Sequence, residues 1–453
     1  MTIITRFAPS PTGNLHVGNA RIAVLNWIFA KKFQGKFILR IDDTDYERSN
    51  EIYVKSLLED LKWLGLKFDS YFLQSQRISR YQEISKILID KGLLYPCYEN
   101  TDELLLKRKE LIQQRKPPIY DRSSLYLSKE QKLKYQMQGR GVYYRFLLSR
   151  KDHRWKDIFK GDLFYNSSNI SDPVVIKPDG SFTYLLSSVI DDMDFHITHI
   201  LRGEDHITNT AIQINMFESL EYTPPVFGHL GLVYFDGNKI SKRNSGTDIQ
   251  SLKREFIEPM SINNFLFKSF FHSASVYNNL DLMVKNFDLK SLSSQDINLD
   301  IAELLKFNAK LLSDKCYEQI QKILKKNDIN IDIKEEFWLL IRNNVSKISE
   351  IQDWFNVIYR DLKFSNNFST VEKKILLSLV KYFPKDFTDE EWTNWLKKTA
   401  LFNDCKKKDI FFVMRKILIN GMRGPNIKDI CKVLGTHFIS KKMKIYLENY
   451  DHE

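Results

Sequence analysis

A chain of 453 residues is too long for one hydrophobic core and should divide into about three to five domains. Hydrophobic residues make up 43%, ample for globular packing, yet no apolar run reaches the ~18 residues of a membrane span, so a membrane protein is excluded and a soluble, cytoplasmic one expected. The net charge of +11 suits a polyanionic partner, and the cysteines Cys97, Cys316, Cys405 and Cys431 lie far apart with no CxxC pair, which argues against a disulfide frame.

The start of the chain, Met1 to Arg6, lacks a basic head followed by an apolar stretch and reads as a strand, not a signal peptide. Ile3 to Phe7 is β-like, and Ala8 to Asn14 is a loop by its Pro, Gly and Asn content. From Gly18 the pattern turns helical, and Gly35 to Ile41 is a second apolar strand. Strand, crossover helix and parallel strand make a βαβ unit, the seed of a doubly wound sheet. Ser49 is placed to cap the next helix, with Ile52, Leu57, Leu58, Leu61 and Leu64 on one face. A further helix carries Tyr81, Ile84, Ile87 and Leu88.

Residues 95–182 change character. A charged helix from Glu103 to Gln114, the break Pro117-Pro118, and strand-like runs at Val142 to Leu148 and Val174 to Ile176 predict an inserted α/β domain. The sheet should resume at Phe182, with a strand at Ile197 to Leu201, a helix from Asn209 to Leu220, and a strand-like run from Val226 to Phe235 ending in the turn Asp236-Gly237-Asn238. Beyond residue 250 the sequence is largely helical, broken at points such as Gly421 to Pro425. Residues 301–453 hold 28 Lys and Arg against 21 Asp and Glu, most of the basic excess.

Two segments carry chemistry. The first, Pro9 to Asn19, leads a glycine-bearing loop into a helix N-terminus, where backbone N–H groups and the helix dipole favour an anion. Gly18 permits close approach, and His16 and Asn19 share a side of the helix start and can both donate to phosphate oxygens. The second, Lys239-Ile240-Ser241-Lys242-Arg243, sets three cations within five residues, enough to answer a triphosphate. Either alone reads better as a solvated surface loop.

Together they resemble a known pair. Thr12 to Asn19 matches the HIGH signature of class I aminoacyl-tRNA synthetases, and Lys239 to Arg243 resembles their KMSKS signature in the expected order and spacing. The strings Arg6 to Gly13, Leu39 to Asp45 and Ile200 to His206 look like the glutamyl-tRNA synthetase family, strongly through about residue 250 and by helical character beyond. The resemblance implies an α/β fold: a doubly wound parallel-sheet, Rossmann-like catalytic domain with an inserted α/β domain, followed by an all-helical anticodon-binding region. It implies catalytic halves at 1–94 and 183–245, a domain binding the tRNA acceptor end at 95–182, a helical stem-contact domain at 246–315 and an anticodon-binding domain at 316–453.

It also implies roles. Arg6 and Arg202 would hold carboxylates of L-glutamate, and Ala8, Ser10, Tyr184 and Ser188 would line the amino-acid site. Asp42 stands where a glutamate is common and would meet the substrate ammonium with a reach shorter by roughly 1.5 Å. His16, Gly18, Asn19, Lys239, Ser241, Lys242 and Arg243 would bind ATP, with His16, Asn19 and Lys242 acting in catalysis and Mg²⁺ accompanying the nucleotide. Some relatives bind zinc through a Cys-x-Cys pair and a later pair. Here Cys97-Tyr98-Glu99 breaks the first and Tyr120-Asp121-Arg122-Ser123 lacks cysteine, so no zinc is expected.

A gapless match puts Asn344 where relatives strict for tRNA(Glu) often have a base-reading arginine, which suggests tolerance of tRNA(Gln). Trp354, Phe355 and Tyr359 suit base stacking but, at helical spacing, suit a core better. The expected enzyme is a monomeric glutamate–tRNA ligase. The rivals are a glutaminyl enzyme, whose C-terminal half is usually β-barrel, a tRNA-modifying transferase without an anticodon domain, a smaller nucleotidyltransferase and a non-catalytic RNA-binding paralog.

Overall fold

The computed structural model describes residues 2–45, 47–235, 238–239, 247–271, 275–293, 295–360 and 368–448, the side chains at 169, 235, 238, 239 and 299 excepted. The chain forms two compact units, one of Met1–Arg254 with Ile262–Asp300, the other of Glu255–Ser261 with Ile301–Glu453.

The first unit is built on a five-stranded parallel sheet. Its strands are β1 (Ile4–Phe7), β2 (Lys36–Ile41), β3 (Ser70–Leu73), β9 (His199–Gly203) and β10 (Val226–Leu230), in the order β10-β9-β1-β2-β3. Helices α1 (Val17–Lys32), α2 (Glu51–Trp63), α3 (Ile78–Asp90), α6 (Tyr184–Asp194) and α7 (Ile207–Ser219) connect the strands. Between α3 and α6 come β4 (Leu94–Cys97), α4 (Thr101–Gln113), α5 (Lys129–Met137), β5 (Tyr143–Phe146), β6 (His153–Asp157), β7 (Gly161–Tyr165) and β8 (Val174–Ile176). Here β4, β5 and β8 pair antiparallel, and β6 and β7 form a hairpin. After β10 the chain forms β11 (Val233–Phe235), β12 (Asn238–Lys239), α8 (Ile249–Arg254), α9 (Pro259–Lys268), α10 (Leu280–Asn286) and β13 (Ile297–Leu299).

Burial explains the pattern. In β2 every residue after Lys36 is buried, as a strand covered on both faces requires. Helix α1 is buried around most of its circumference, from Val17 and Ala20 to Phe29 and Ala30. It is tied to the sheet by side chains: Thr5 Oγ1 donates to the Asn26 carbonyl at 2.9 Å, and Asn26 Nδ2 donates to the Leu201 carbonyl at 3.0 Å. This fixes the start of α1 above the carboxyl ends of β1 and β9.

Three expectations need correction. Asn50, not Ser49, caps α2: its side chain accepts from the Ile52 N–H at 2.9 Å, the shorter reach of an Asx turn. The run from Val226 to Phe235 is two strands, because the chain leaves the sheet at Gly231, where a Cβ would lie 2.4 Å from the Gln295 backbone. A helix, α6, stands between Phe182 and β9, its buried face carrying Leu186, Val189 and Ile190. The turn at Asp236-Gly237 lies outside the described residues.

The second unit is helical among its described residues: α11 (Ile301–Ser313), α12 (Tyr317–Lys326), α13 (Glu335–Ile341), α14 (Glu350–Tyr359), α15 (Thr370–Lys381), α16 (Asp389–Asn403), α17 (Lys407–Ile419) and α18 (Ile427–Glu448), the last interrupted at Gly435 with φ +75°. Its core includes Trp338, Trp395, Ile410 and Met443. Trp354 is buried, with Nε1 donating to the Asn344 carbonyl at 3.1 Å, and Phe355 and Tyr359 pack at 5.0 Å between ring centres, so this trio belongs to the core.

Candidate active site

A cavity of about 570 Å³ opens at the carboxyl ends of β1 and β9, where the strand order reverses and open α/β sheets bind ligands. Arg6, Ala8, Ser10, His16, Gly18, Asn19, Asp42, Tyr184, Ser188 and Arg202 all line it. Residues nearly 200 apart in sequence thus meet in one place. Ser241, Lys242 and Arg243 lie outside the described residues, as does the side chain of Lys239.

The flanks of that basic segment are nevertheless bound to the helix start. On the exit side, the Val17 N–H donates to the Thr247 carbonyl at 3.0 Å, the Ile249 N–H to the Leu15 carbonyl at 2.8 Å, and Asn14 Nδ2 to Asp248 at 3.4 Å. On the entry side, the buried Arg21 of α1 donates to the Gly231 carbonyl at 2.8 Å, just before β11. Gly231 and Thr247, which flank the segment, are therefore both bonded to α1.

His16 caps α1, its Nδ1 accepting from the Asn19 N–H at 3.2 Å. The neutral ring then carries its proton on Nε2. Two first-turn N–H groups, of Val17 and Asn19, are therefore committed within the protein, a narrower anion site than the bare helix end suggests. Gly18 serves His16 itself: a Cβ there would lie 3.1 Å from the imidazole.

Three buried arginines define the electrostatics. Arg40 is saturated: Nε and Nη2 donate to Asp42 at 2.7 and 3.3 Å, Nη1 to Asp192 at 2.9 Å, and Nη2 to Ser188 Oγ at 3.0 Å. Arg6 shares Asp192 at 3.1 Å, and burial lowers its pKa. Arg202 donates to neutral acceptors, Thr210 Oγ1 at 2.6 Å and Gln213 Oε1 at 2.9 Å, and burial lowers its pKa to about 9, with Arg6 adding to the effect. Asp42 is raised to about 6 by burial, against the pull of Arg40. Tyr184 is raised to about 12, also by burial, and its ring meets His206 edge-on. Arg202, bonded to neutral groups, and Arg6, which shares Asp192 with Arg40, thus face one cavity beside the Asp42 carboxylate, a set that suits an amino acid with an acidic side chain.

Comparison with known proteins fits this geometry. The family described as tRNA synthetases class I (E and Q), catalytic domain, matches residues 2–311. Glutamate–tRNA ligase 1 of Rickettsia typhi is 45% identical over 446 residues, 97% of this chain and 98% of its own, and glutamate–tRNA ligase 2 of Rickettsia canadensis is 42% identical over 445. This chain belongs to the class I glutamate–tRNA ligase family. A glutamate tRNA ligase structure from Elizabethkingia meningosepticum shares its fold, with a TM-score of 0.83 at 22% identity over 99% of both chains.

As a member of that family, the chain has buried polar groups that sequence patterns alone left unassigned. Arg40, Asp191 and Asp192 hold the site together, and Gln74, Arg77 and Tyr81 satisfy Asp191. A signal existed in Arg40, a lone charge inside an apolar strand. Around Cys97, Sγ meets Tyr120 Oη at 3.7 Å, while Tyr120, Ser123, Ser124 and Tyr143 donate hydroxyls to Glu99 at 2.7 to 3.2 Å. Asn344 lines a separate pocket of about 510 Å³ in the helical unit with Asn343, Asn426, Glu336 and Asp429.

Proposed function

We propose that this aminoacyl-tRNA ligase activates L-glutamate with ATP in the 570 Å³ cavity and transfers it to the 3′ end of tRNA(Glu), with tRNA(Gln) as a second acceptor. The observation that carries the amino-acid reading is Arg202, a buried guanidinium spending its hydrogen bonds on neutral groups at the cavity wall. A substrate carboxylate supplies the missing charge. Arg6 takes the second carboxylate, Asp42 the ammonium, and Ser10 and Tyr184 border the chain between them.

In the first step a glutamate α-carboxylate oxygen bonds to the ATP α-phosphorus and the bond to pyrophosphate breaks. In the second, a terminal ribose hydroxyl of tRNA attacks the adenylate carbonyl and AMP leaves. His16 and Asn19 at the helix start, with Lys239, Ser241, Lys242 and Arg243, answer the phosphate charge as it develops. Mg²⁺ prefers phosphate oxygens and water, so it would arrive with the nucleotide. Glu99 takes the hydroxyls that surround Cys97, so we expect no zinc there, and stoichiometric zinc in pure protein would overturn this.

The helical unit binds the anticodon. The Asn344 pocket offers amides and carboxylates where an arginine would be more selective, which underlies the second acceptor. No helix among the described residues is long and apolar enough to cross a membrane, and we place the enzyme in the cytoplasm as a monomer by this reading alone. The test is glutamate-dependent ATP–pyrophosphate exchange with tRNA present, wild type against Lys242→Ala, where a loss of about 100-fold is expected. Unchanged exchange refutes the role of the basic loop. Charging purified tRNA(Glu) and tRNA(Gln) side by side decides the acceptor, and strict use of tRNA(Glu) rejects the second.

A further inference from the structure

A buried chain of polar side chains leads away from Arg202 to a hairpin, β6–β7, that does not line the cavity. His229, on β10, is fully buried. Its Nδ1 lies 2.6 Å from Asp157 Oδ2, and its Nε2 lies 2.9 Å from Thr210 Oγ1 and 3.4 Å from Arg202 Nε. Thr210 Oγ1 in turn accepts from Arg202 Nη2 at 2.6 Å.

The donors and acceptors fix a tautomer. An ionised Asp157 only accepts, so Nδ1 carries the proton. In the neutral ring Nε2 is then an acceptor, facing the Thr210 hydroxyl and the Arg202 Nε–H. Asp157 Oδ1 also accepts the N–H groups of Phe159 at 3.0 Å, Lys160 at 3.1 Å and His229 at 3.1 Å. The β6–β7 hairpin is docked on β10 as well: the Ile158 N–H donates to the Phe227 carbonyl at 2.9 Å, and the Phe159 ring fills the place of a Cβ at Gly228. Hairpin and guanidinium therefore share one hydrogen-bond path.

We propose that Asp157 and His229 are positioning residues for Arg202: by fixing the imidazole tautomer, they set the neutral acceptors that aim its guanidinium at the substrate carboxylate. This rests on the reading that Arg202 binds glutamate. The design holds the guanidinium in place without cancelling its charge, as a carboxylate partner would.

Asp157→Asn tests it with little change of shape. The amide oxygen keeps the three backbone N–H bonds, while its NH₂ faces Nδ1 and drives the ring proton to Nε2, toward the Arg202 donors. The glutamate KM in ATP–pyrophosphate exchange should rise about 10- to 100-fold, the loss of one charge-assisted acceptor, with the ATP KM within about twofold of wild type. His229→Asn, which keeps a donor for Asp157 but lacks the far nitrogen, should do the same and carries the test should Asp157→Asn fail to fold. Arg202→Lys separates the outcomes. If it raises the glutamate KM while the other two leave it unchanged, or raise the KM of ATP equally, the positioning role is overturned. If Arg202→Lys itself changes nothing, the reading of the site fails and the proposal with it.

Discussion

Lowering the pH from 7 to 5 should reduce kcat/KM for glutamate about tenfold through one group, Asp42. Burial raises this carboxyl from 3.8 to about 6, the nearby Arg40 notwithstanding. A group with that value is about 90% ionised at pH 7 and about 10% at pH 5, and only the ionised form attracts the substrate ammonium. The sign for stability runs the other way. Because the folded value lies above the unfolded one, Asp42 favours the folded state most below pH 4 and withdraws that support as pH rises through 6. Keeping it charged at pH 7 costs the fold about 3 kcal/mol, an expense that a purely structural residue would not carry. The assay is ATP–pyrophosphate exchange across this range at saturating ATP, for wild type and Asp42→Asn. The variant should be slower at pH 7 by about 10- to 100-fold, and its profile should lose the step near pH 6. A wild-type profile flat to pH 5, or a variant that keeps the step, would remove Asp42 from the amino-acid site.

Other substitutions test neighbouring claims. Gly18→Ala places a methyl 3.1 Å from the His16 ring and should force it off the Asn19 N–H, lowering pyrophosphate exchange about tenfold or more with little change in melting temperature. Asp60, on α2, is raised to about 7 by burial, against Lys253 and Gln250. Its ionisation therefore weakens the fold as pH rises from about 4 through 7, and the melting-temperature gain of Asp60→Asn over wild type should grow across that range and level off above it. Burial opposes the charge on Glu99, but hydroxyls led by Tyr120 outweigh it and hold the group at about 2. Its support, about 3 kcal/mol, is present above pH 4.5 and lost as pH falls toward 2. Glu99→Gln should therefore loosen β4, seen as faster hydrogen exchange at Leu94 to Cys97.

Four of the five strands of the parallel sheet were legible because their cores are apolar, whereas the short, half-exposed β3 was not. Phe37 to Ile41 cannot face water on either side, so helices must cover both faces, and the loop at Ser10 to Asn14 marks where a ligand approaches. The β6–β7 hairpin escaped notice since Arg154, Lys156 and Asp162 give it the composition of a solvated loop. Its pairing is set by backbone hydrogen bonds that composition does not encode. The same limit applies to the site. Residue type pointed to His16 and the family resemblance to Arg6 and Arg202, but which partner neutralises which arginine depends on distances between strands. Arg40 and Arg202 each follow an apolar stretch of a buried strand, and no local pattern distinguishes them.

The partners distinguish them, and they assign the roles. Removing a guanidinium from water costs several kcal/mol, so a buried one must be repaid. Arg40 is repaid in full by Asp42 and Asp192, and those carboxylates raise its pKa against the effect of burial. Arg202 hydrogen-bonds to neutral groups, and burial, with Arg6 adding to the effect, lowers its pKa from 12.5 to about 9. A fold selected for stability alone would place an acid there or dispense with the charge. Keeping the deficit reserves that energy for a ligand which brings the carboxylate with it. On the proposed reading, with Arg202 taking the side-chain carboxylate, glutamate does so, whereas glutamine, of nearly the same shape, brings a dipole to that position and leaves the charge unanswered. On that reading, discrimination between the two follows from the cavity's unbalanced cation, before any contact with tRNA is considered.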